Sequence, residues 1–389
     1  MEPAQSIKGR LARMGRVERL VVKIGSSSLT GPRGLDHALM ARLVEEVVEL
    51  RRQGLEVAMV SSGAVAAGLA RLGLAGRPQG ISELQAVAAV GQNLLMNAYE
   101  SLFARHQVPV GQVLLTAGDI LDDRRRYLNL QRTLFQLFAY RAVPVVNEND
   151  SVAVTELQRA IGENDVLAAY VANLIQAQLL VILSDVDGLY ADYGPEGPRS
   201  ALIDQIHYGD PRLEAVAGGS NSGLGRGGMR TKIQAAQLLM ACGEMTVIAH
   251  AQRHRLVDIV AGAEVGTLFV PSNKRLKSRK RWIAFASPCK GDLVIDQGAR
   301  QAIVDQGKSL LPAGVVASRG RFDHGDMVRL EDALGEEIGR GLSRYTSAEL
   351  KRIAGKTSAQ IERELDRPAP AVVHRDDMVL WAETPTDRP

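Results

Sequence analysis

The stretch "AQLLVILSDVDGLY", residues 177–190, decides the fold class. Leu179 to Leu183 run apolar without alternation, and polarity then switches abruptly at Ser184 and Asp185. A strand that reads this way is covered on both faces, as in a parallel sheet between helices. Working outward, apolar strands of the same kind recur at "RLVVKIGSS" (19–27), "LEVAMVSSGA" (55–64), "VPVGQVLLT" (108–116) and "AVPVVNEND" (142–150), with "MTVIAHA" and "GTLFV" closing the series near 270. Helical spacing fills the gaps. Leu39, Leu43, Val47 and Leu50 share one face from about Asp36, and further helices are expected over 81–106, near 119–140, near 163–177 and from Met229 onward. Strands alternating with helices predict an α/β fold, a mainly parallel sheet sandwiched by helices.

In open sheets of this kind ligands bind beyond the carboxyl ends of the strands. Polar clusters fall there repeatedly: Gly25–Ser26–Ser27, Ser61–Ser62–Gly63, Asn147–Glu148–Asn149–Asp150 and Ser184–Asp185. Each alone is an ordinary turn composition; four after four apolar strands point to a shared site. Lys23, near the end of the first strand, is an unfavourable burial unless it meets an anion.

A second feature is "SGLGRGGMRTKIQAAQ", Ser222 to Gln237. Its glycines let backbone N–H groups approach an oxyanion closely. Lys232 falls in the first turn of the helix that follows, where the dipole adds to its charge. The stretch alone fits either a phosphate-holding loop or a solvated turn. It is not a P-loop, which needs GxxxxGK[ST] after a strand. The near match at 350–357 has Leu350 in place of the first glycine, and Gly355 there reads as a helix C-cap.

Composition narrows the classes. At 389 residues the chain is long enough for two domains with a substantial core. A net charge of +3 singles out neither nucleic acid nor an acidic membrane as partner. Cys242 and Cys289 have no partner at metal-ligand spacing, which fits a reducing compartment. The basic start lacks an apolar h-region and no run reaches membrane-span length, so a cytoplasmic protein is expected.

Together "VVKIGSSSLT", "VSSGAVAAG", "VPVVNENDSV", "GENDVLAA", "LSDVDGLY" and "SGLGRGGMRTKIQAA" resemble the amino acid kinase family, within it the branch that phosphorylates the γ-carboxylate of L-glutamate with ATP and Mg²⁺, the first step toward proline. The resemblance runs in order over 17–270. It implies an ATP site at Lys23, Ser184, Asp185, Arg226, Gly227, Gly228, Met229, Arg230, Thr231 and Lys232. It implies a glutamate site at Ser62, Asn147, Asp150, Glu163 and Asn164, and makes Asp165 the carboxylate that organises Lys23 and Lys232. The family pattern Gly-Asp-Asn-Asp is here Gly162-Glu163-Asn164-Asp165. The chemistry suits this set. A carboxylate acceptor is already ionised and needs no general base; the demand is to relieve repulsion between it and the phosphoryl group. Mg²⁺ is expected on ATP oxygens and water, with no protein ligand named. A kinase for another small carboxylate, such as N-acetylglutamate, is the alternative within the class.

Beyond 270 the character changes. A basic linker at 271–286, with Lys274, Arg275, Lys277, Arg279, Lys280 and Arg281, leads into short strands with glycine turns. Residues 287–365 resemble a PUA domain, on "LLPAGV" and "GRGLSRYTSAEL", and 366–389 form a C-terminal extension. Such a domain implies RNA as a partner, but few aromatic stacking platforms are available, with 6 Phe, 8 Tyr and 2 Trp in the whole chain. A solvated linker accounts for the basic run, and His374 reads as structural. The competing class, an RNA-binding regulator with a disabled kinase fold, conflicts with retention of both lysines, both aspartates and the glycine loop. The resemblance further implies feedback inhibition by proline, a homo-oligomer, and a functional link to glutamate 5-semialdehyde dehydrogenase.

Overall fold

The computed structural model describes residues 17–31, 34–116, 119–120, 124–152, 164–191, 193–194, 197–198, 200–213, 228–271, 289–356, 358–365 and 370–380. The chain divides into two compact units, Met1–Arg275 and Leu276–Pro389.

The first unit is built on an eight-stranded sheet. Its strands are β1 (Arg19–Ile24), β2 (Glu56–Ser61), β3 (Val110–Leu115), β4 (Val143–Glu148), β5 (Leu179–Ser184), β6 (Gln205–His207), β7 (Met245–His250) and β8 (Thr267–Val270). The order is β6-β8-β7-β5-β1-β2-β4-β3. All neighbours from β7 to β3 are parallel, β8 runs antiparallel to β7, and β6 pairs parallel to β8. Strand β6 has no counterpart in the sequence reading. Three residues give too short a pattern to register.

Helices α1 (His37–Arg52), α2 (Ala64–Leu72), α3 (Ile81–Ala104), α4 (Arg124–Ala139), α5 (Asn164–Ile175), α6 (Gly228–Cys242) and α7 (Leu256–Val260) connect and cover the strands. The expected start near Asp36 is an N-cap, its Oδ1 accepting from the Leu39 N–H at 3.0 Å. Strand alternation sorts side chains between the two faces. Leu20, Val22, Ile24, Leu179, Val181 and Leu183 join Leu43, Val47, Tyr99 and Phe103 of α1 and α3 in one core. Val21 and Lys23, one residue out of step, face the other way, toward α5. Every strand residue from Leu179 to Ser184 is buried. Full burial of each such side chain is worth about 1.5–3 kcal/mol relative to exposure.

Helices α2 and α3 approach to backbone contact. A Cβ at Gly91 would lie 1.7 Å from the Ala64 carbonyl oxygen, and one at Gly68 would lie 2.0 Å from that of Val87. This seats α3 close beside the end of β2, where the buried Tyr99 hydroxyl meets Ser61 Oγ at 2.8 Å.

The second unit has a five-stranded sheet formed by β9 (Gly291–Ile295), β10 (Val315–Gly320), β11 (Met327–Glu331), β12 (Glu337–Leu342) and β13 (Met378–Leu380), ordered β10-β9-β11-β12-β13. Leu293, Ile295, Val328, Leu330, Ile338 and Tyr345 centre its core. Strand β9 stops at Ile295. Asp296 ends it by accepting from the Ala299 N–H at 2.6 Å, which starts a helix, α8, at Gln297–Val304. A capping box of Thr346 and Glu349 starts α9 (Ser347–Ile353), and Gly355 follows it at φ +73°, the left-handed conformation that favours glycine after a helix. Helix α10 (Ser358–Leu365) comes next. The sequence reading sets 366–389 apart as an extension; within it, Met378–Leu380 pairs with β12 as an edge strand.

Candidate active site

Parallel strands β5, β1, β2 and β4 are neighbours, so their carboxyl ends share one edge of the sheet. Lys23, Ser62, Asn147 and Ser184 stand at or beside those four ends, and the first turns of α5 and α6 bring in Asn164, Asp165, Thr231 and Lys232.

Its centre is Asp165. Lys23 Nζ lies 2.6 Å from Oδ1 and Lys232 Nζ lies 3.1 Å from Oδ2, so the two ammonium groups occupy separate oxygens of one carboxylate. Asp165 is fully buried and both lysines nearly so. Burial opposes charge on the Asp165 carboxyl, yet Lys23 and Lys232 together hold its pKa below the usual carboxylate range. The Thr231 hydroxyl lies 2.9 Å from Asp165 Oδ2 and 3.1 Å from the Gly228 carbonyl oxygen. Lys232 also donates to Gly228 O at 3.0 Å, which ties the side chain to its own helix start. Two cations on one anion leave a net charge of about +1 at the N-terminal ends of two helices. That is a site for an anion.

Beside it runs a chain of amides. Gln92 Oε1 accepts from Asn147 Nδ2 at 2.7 Å, Asn147 Oδ1 accepts from Asn164 Nδ2 at 2.8 Å, and Asn164 Nδ2 also donates to Ser62 Oγ at 2.8 Å. Both ends are open: Asn164 Oδ1 and Gln92 Nε2 are buried polar atoms without a partner among the described residues. Natively folded proteins seldom leave such groups orphaned. Asp150 stands two residues beyond β4. Burial raises its carboxyl pKa to about 6, with Arg77 partly opposing the shift.

The structure thus brings Lys23, Lys232, Asp165 and Thr231 into one cluster and Ser62, Asn147 and Asn164 into another. Ser184 ends β5, donating to the exposed Asp185 carboxylate at 3.0 Å. In the first turn of α6, Gly228 and Met229 are half-buried and Arg230 is exposed. Glu163, Arg226 and Gly227 lie outside the described residues, as does most of the linker over 271–286. Sequence reasoning missed Gln92. Nothing in the sequence separates it from the other polar residues of α3, Gln85, Asn93 and Asn97 among them.

The sequence pattern of the amino acid kinase family matches residues 18–249. The chain belongs to that family. A PUA domain pattern matches residues 291–365 of this amino acid kinase. Among curated proteins it is similar to the glutamate 5-kinase of Methylococcus capsulatus, 45% identical over 365 residues that cover 93% of this chain and 97% of that one. It is likewise similar to the glutamate 5-kinases of Pseudomonas aeruginosa, at 48% identity, and of Paraburkholderia xenovorans, at 46%, with the same coverage of both chains.

Proposed function

We propose that this amino acid kinase transfers the γ-phosphoryl group of ATP to the side-chain carboxylate of L-glutamate, giving L-glutamyl 5-phosphate and ADP in the first step of proline biosynthesis. The observation that carries the reading is the Lys23–Asp165–Lys232 cluster beside the Ser62–Asn164–Asn147 amide chain. One cluster suits a transferring phosphoryl group, the other a zwitterionic amino acid.

The substrate oxygen attacks the γ-phosphorus, the bond to the β,γ-bridging oxygen breaks, and ADP carries the electron pair away. No proton has to move, so no base is needed. Lys23 and Lys232 screen the repulsion between two anions and follow the charge as it passes to the leaving group. Asp165 keeps both ammonium groups aimed, which spares their reorganisation during transfer. Ser184, Asp185, Gly228, Met229 and Arg230 flank the nucleotide in this reading, as do Arg226 and Gly227; Asp150, with Glu163, serves the substrate ammonium.

Among the described residues no group of three or more His, Cys, Asp or Glu side chains is placed to hold a metal ion. Mg²⁺, in our reading, accompanies the nucleotide phosphates and lowers their charge. We assign the chain to the cytoplasm, a reducing compartment in which its free cysteines, Cys242 and Cys289, stay thiols; no helix among the described residues is long and apolar enough to cross a membrane. The product is an acyl phosphate, labile to water, which favours quick consumption by a reductase such as glutamate 5-semialdehyde dehydrogenase. Feedback inhibition by proline and a homo-oligomeric assembly belong to the same proposal.

RNA binding by the second unit is disfavoured by its charge pattern. Arg329 lies 3.5 Å from Asp292 and 3.2 Å from Glu337, Arg340 2.7 Å from Glu337, and Arg319 3.3 Å from Glu331. Arginines already matched by carboxylates offer a phosphate backbone little.

The test is ATP consumption over a panel of amino acids, N-acetylglutamate included, with hydroxylamine present to trap an acyl phosphate. A hydroxamate formed from L-glutamate is expected. Trapping from N-acetylglutamate in preference would move the chain to the other substrate class.

A further inference from the structure

The amide chain has a direction, and Gln92 sets it. Asn147 donates through Nδ2 to Gln92 Oε1, which forces Asn147 Oδ1 toward Asn164 Nδ2. Asn164 Nδ2 is thereby spent on Asn147 and Ser62, and Asn164 Oδ1 becomes the open acceptor at one end. At the other end the open group is the Gln92 amide nitrogen, a donor. A donor end suits a carboxylate and an acceptor end suits an ammonium, the two charged groups of an amino acid. Gln92 reaches this place because Gly91, the residue before it, lets α3 approach the Ala64 carbonyl without a side chain between them.

We propose that Gln92 is a specificity-determining residue of the glutamate site. Its Nε2 donates to the substrate's α-carboxylate, while its Oε1 fixes the amide orientations of Asn147 and Asn164. The inference rests on the reading of the site as a glutamate site. The partner is identified by chemistry alone: an amide nitrogen cannot accept from an ammonium, so its ligand is the anionic end of the substrate. Because the γ-carboxylate must face Lys23 and Lys232, the α-carboxylate is the anion left for it. A Gln92 contact made equally in ground and transition states acts on KM rather than on kcat.

The experiment compares wild-type chain with Gln92→Leu and Gln92→Glu, both confirmed to melt within a few degrees of wild type. Steady-state kinetics are measured with glutamate and ATP. Inhibition constants are measured for 4-aminobutyrate, which is glutamate without its α-carboxylate, and for glutarate, which lacks the ammonium. Gln92→Leu is expected to raise the glutamate KM about tenfold or more and to weaken glutarate similarly. It should weaken 4-aminobutyrate less than glutamate, through the released Asn147 and Asn164 amides, and change kcat and the ATP KM less than threefold. Gln92→Glu retains an acceptor for Asn147 but sets a carboxylate against the substrate's own, so it should be worse than Gln92→Leu for glutamate and no worse for 4-aminobutyrate. A general packing defect would weaken all three ligands alike, and that result overturns the proposal, as does an unchanged glutamate KM in both variants. If wild type forms no glutamyl hydroxamate, the function itself fails; if it does and the variants behave like wild type, only the Gln92 assignment fails.

Discussion

Lys23 of β1 and Asp165 of α5 meet at 2.6 Å where the sheet and its covering helix close on each other, and neither side chain is exposed. The register of β1 dictates the meeting. Val21 and Lys23 share the face that α5 covers, whereas Val22 and Ile24 enter the opposite core. Removing Lys23 leaves Asp165 still held by Lys232 and the Thr231 hydroxyl. Lys23→Met should therefore cost only about 1–3 kcal/mol of stability while it suppresses phosphoryl transfer, and urea denaturation gives the number. A loss of about 3–5 kcal/mol would mean that Lys232 alone does not compensate the carboxylate.

The pH dependence of glutamate capture follows from Asp150. Burial raises its pKa to about 6, so below that value the free enzyme carries a neutral acid where the substrate ammonium needs an anion. A raised carboxyl pKa brings protonation on earlier as pH falls. kcat/KM for glutamate should drop roughly tenfold per pH unit on the acid side of about 6, well above the titration of glutamate's own side chain. The limb should vanish in Asp150→Asn, whose kcat/KM is low at every pH. A wild-type profile flat down to pH 5 would remove Asp150 from this role.

Backbone contact between α2 and α3 leaves no room at Gly91. Gly91→Ala places a Cβ 1.7 Å from the Ala64 carbonyl oxygen, so the helices must part. Overpacking of this sort costs about 1–3 kcal/mol, read as a fall in the denaturation midpoint. Because Gln92 moves with α3, the glutamate KM should rise too.

Every candidate residue of the proposed mechanism lies at or before Lys232, and the second unit begins past Arg275. A chain ended after Pro271 should keep measurable glutamate phosphorylation. A folded truncation without turnover at saturating substrates would show that the second unit completes the site.

The sheet and the polar strand ends were legible because both are local: unalternating apolar runs mark buried parallel strands, and Ser, Asn, Asp and Gly cluster where those strands stop. Lys23 stood out as a charge in an apolar strand, and Lys232 as the basic residue where a glycine-rich loop opens into a helix. What stayed hidden depends on contacts far apart in sequence. Gln92 lies 55 residues from Asn147, and nothing in a helix that also carries Gln85, Asn93 and Asn97 announces which polar residue faces a strand end. Thr231 reads as part of an ATP loop, yet its hydroxyl turns inward to Asp165, 66 residues away. In the second unit, the strand at Met378–Leu380 is too short and too remote from its partner β12 for pattern alone to place it.

Central to the account is a division of labour between two aspartates, and steady-state kinetics with each substrate varied tests it directly. Asp165 fixes the lysines whose placement matters most while charge moves between oxygens; Asp150 meets an ammonium that is bound equally before and during transfer. On variants shown to be folded at the assay temperature, Asp165→Asn should lower kcat by about 100-fold or more with modest changes in KM. Asp150→Asn should raise the glutamate KM while largely sparing kcat and the ATP KM. Near-normal kcat in Asp165→Asn together with abolished kcat in Asp150→Asn would contradict the account.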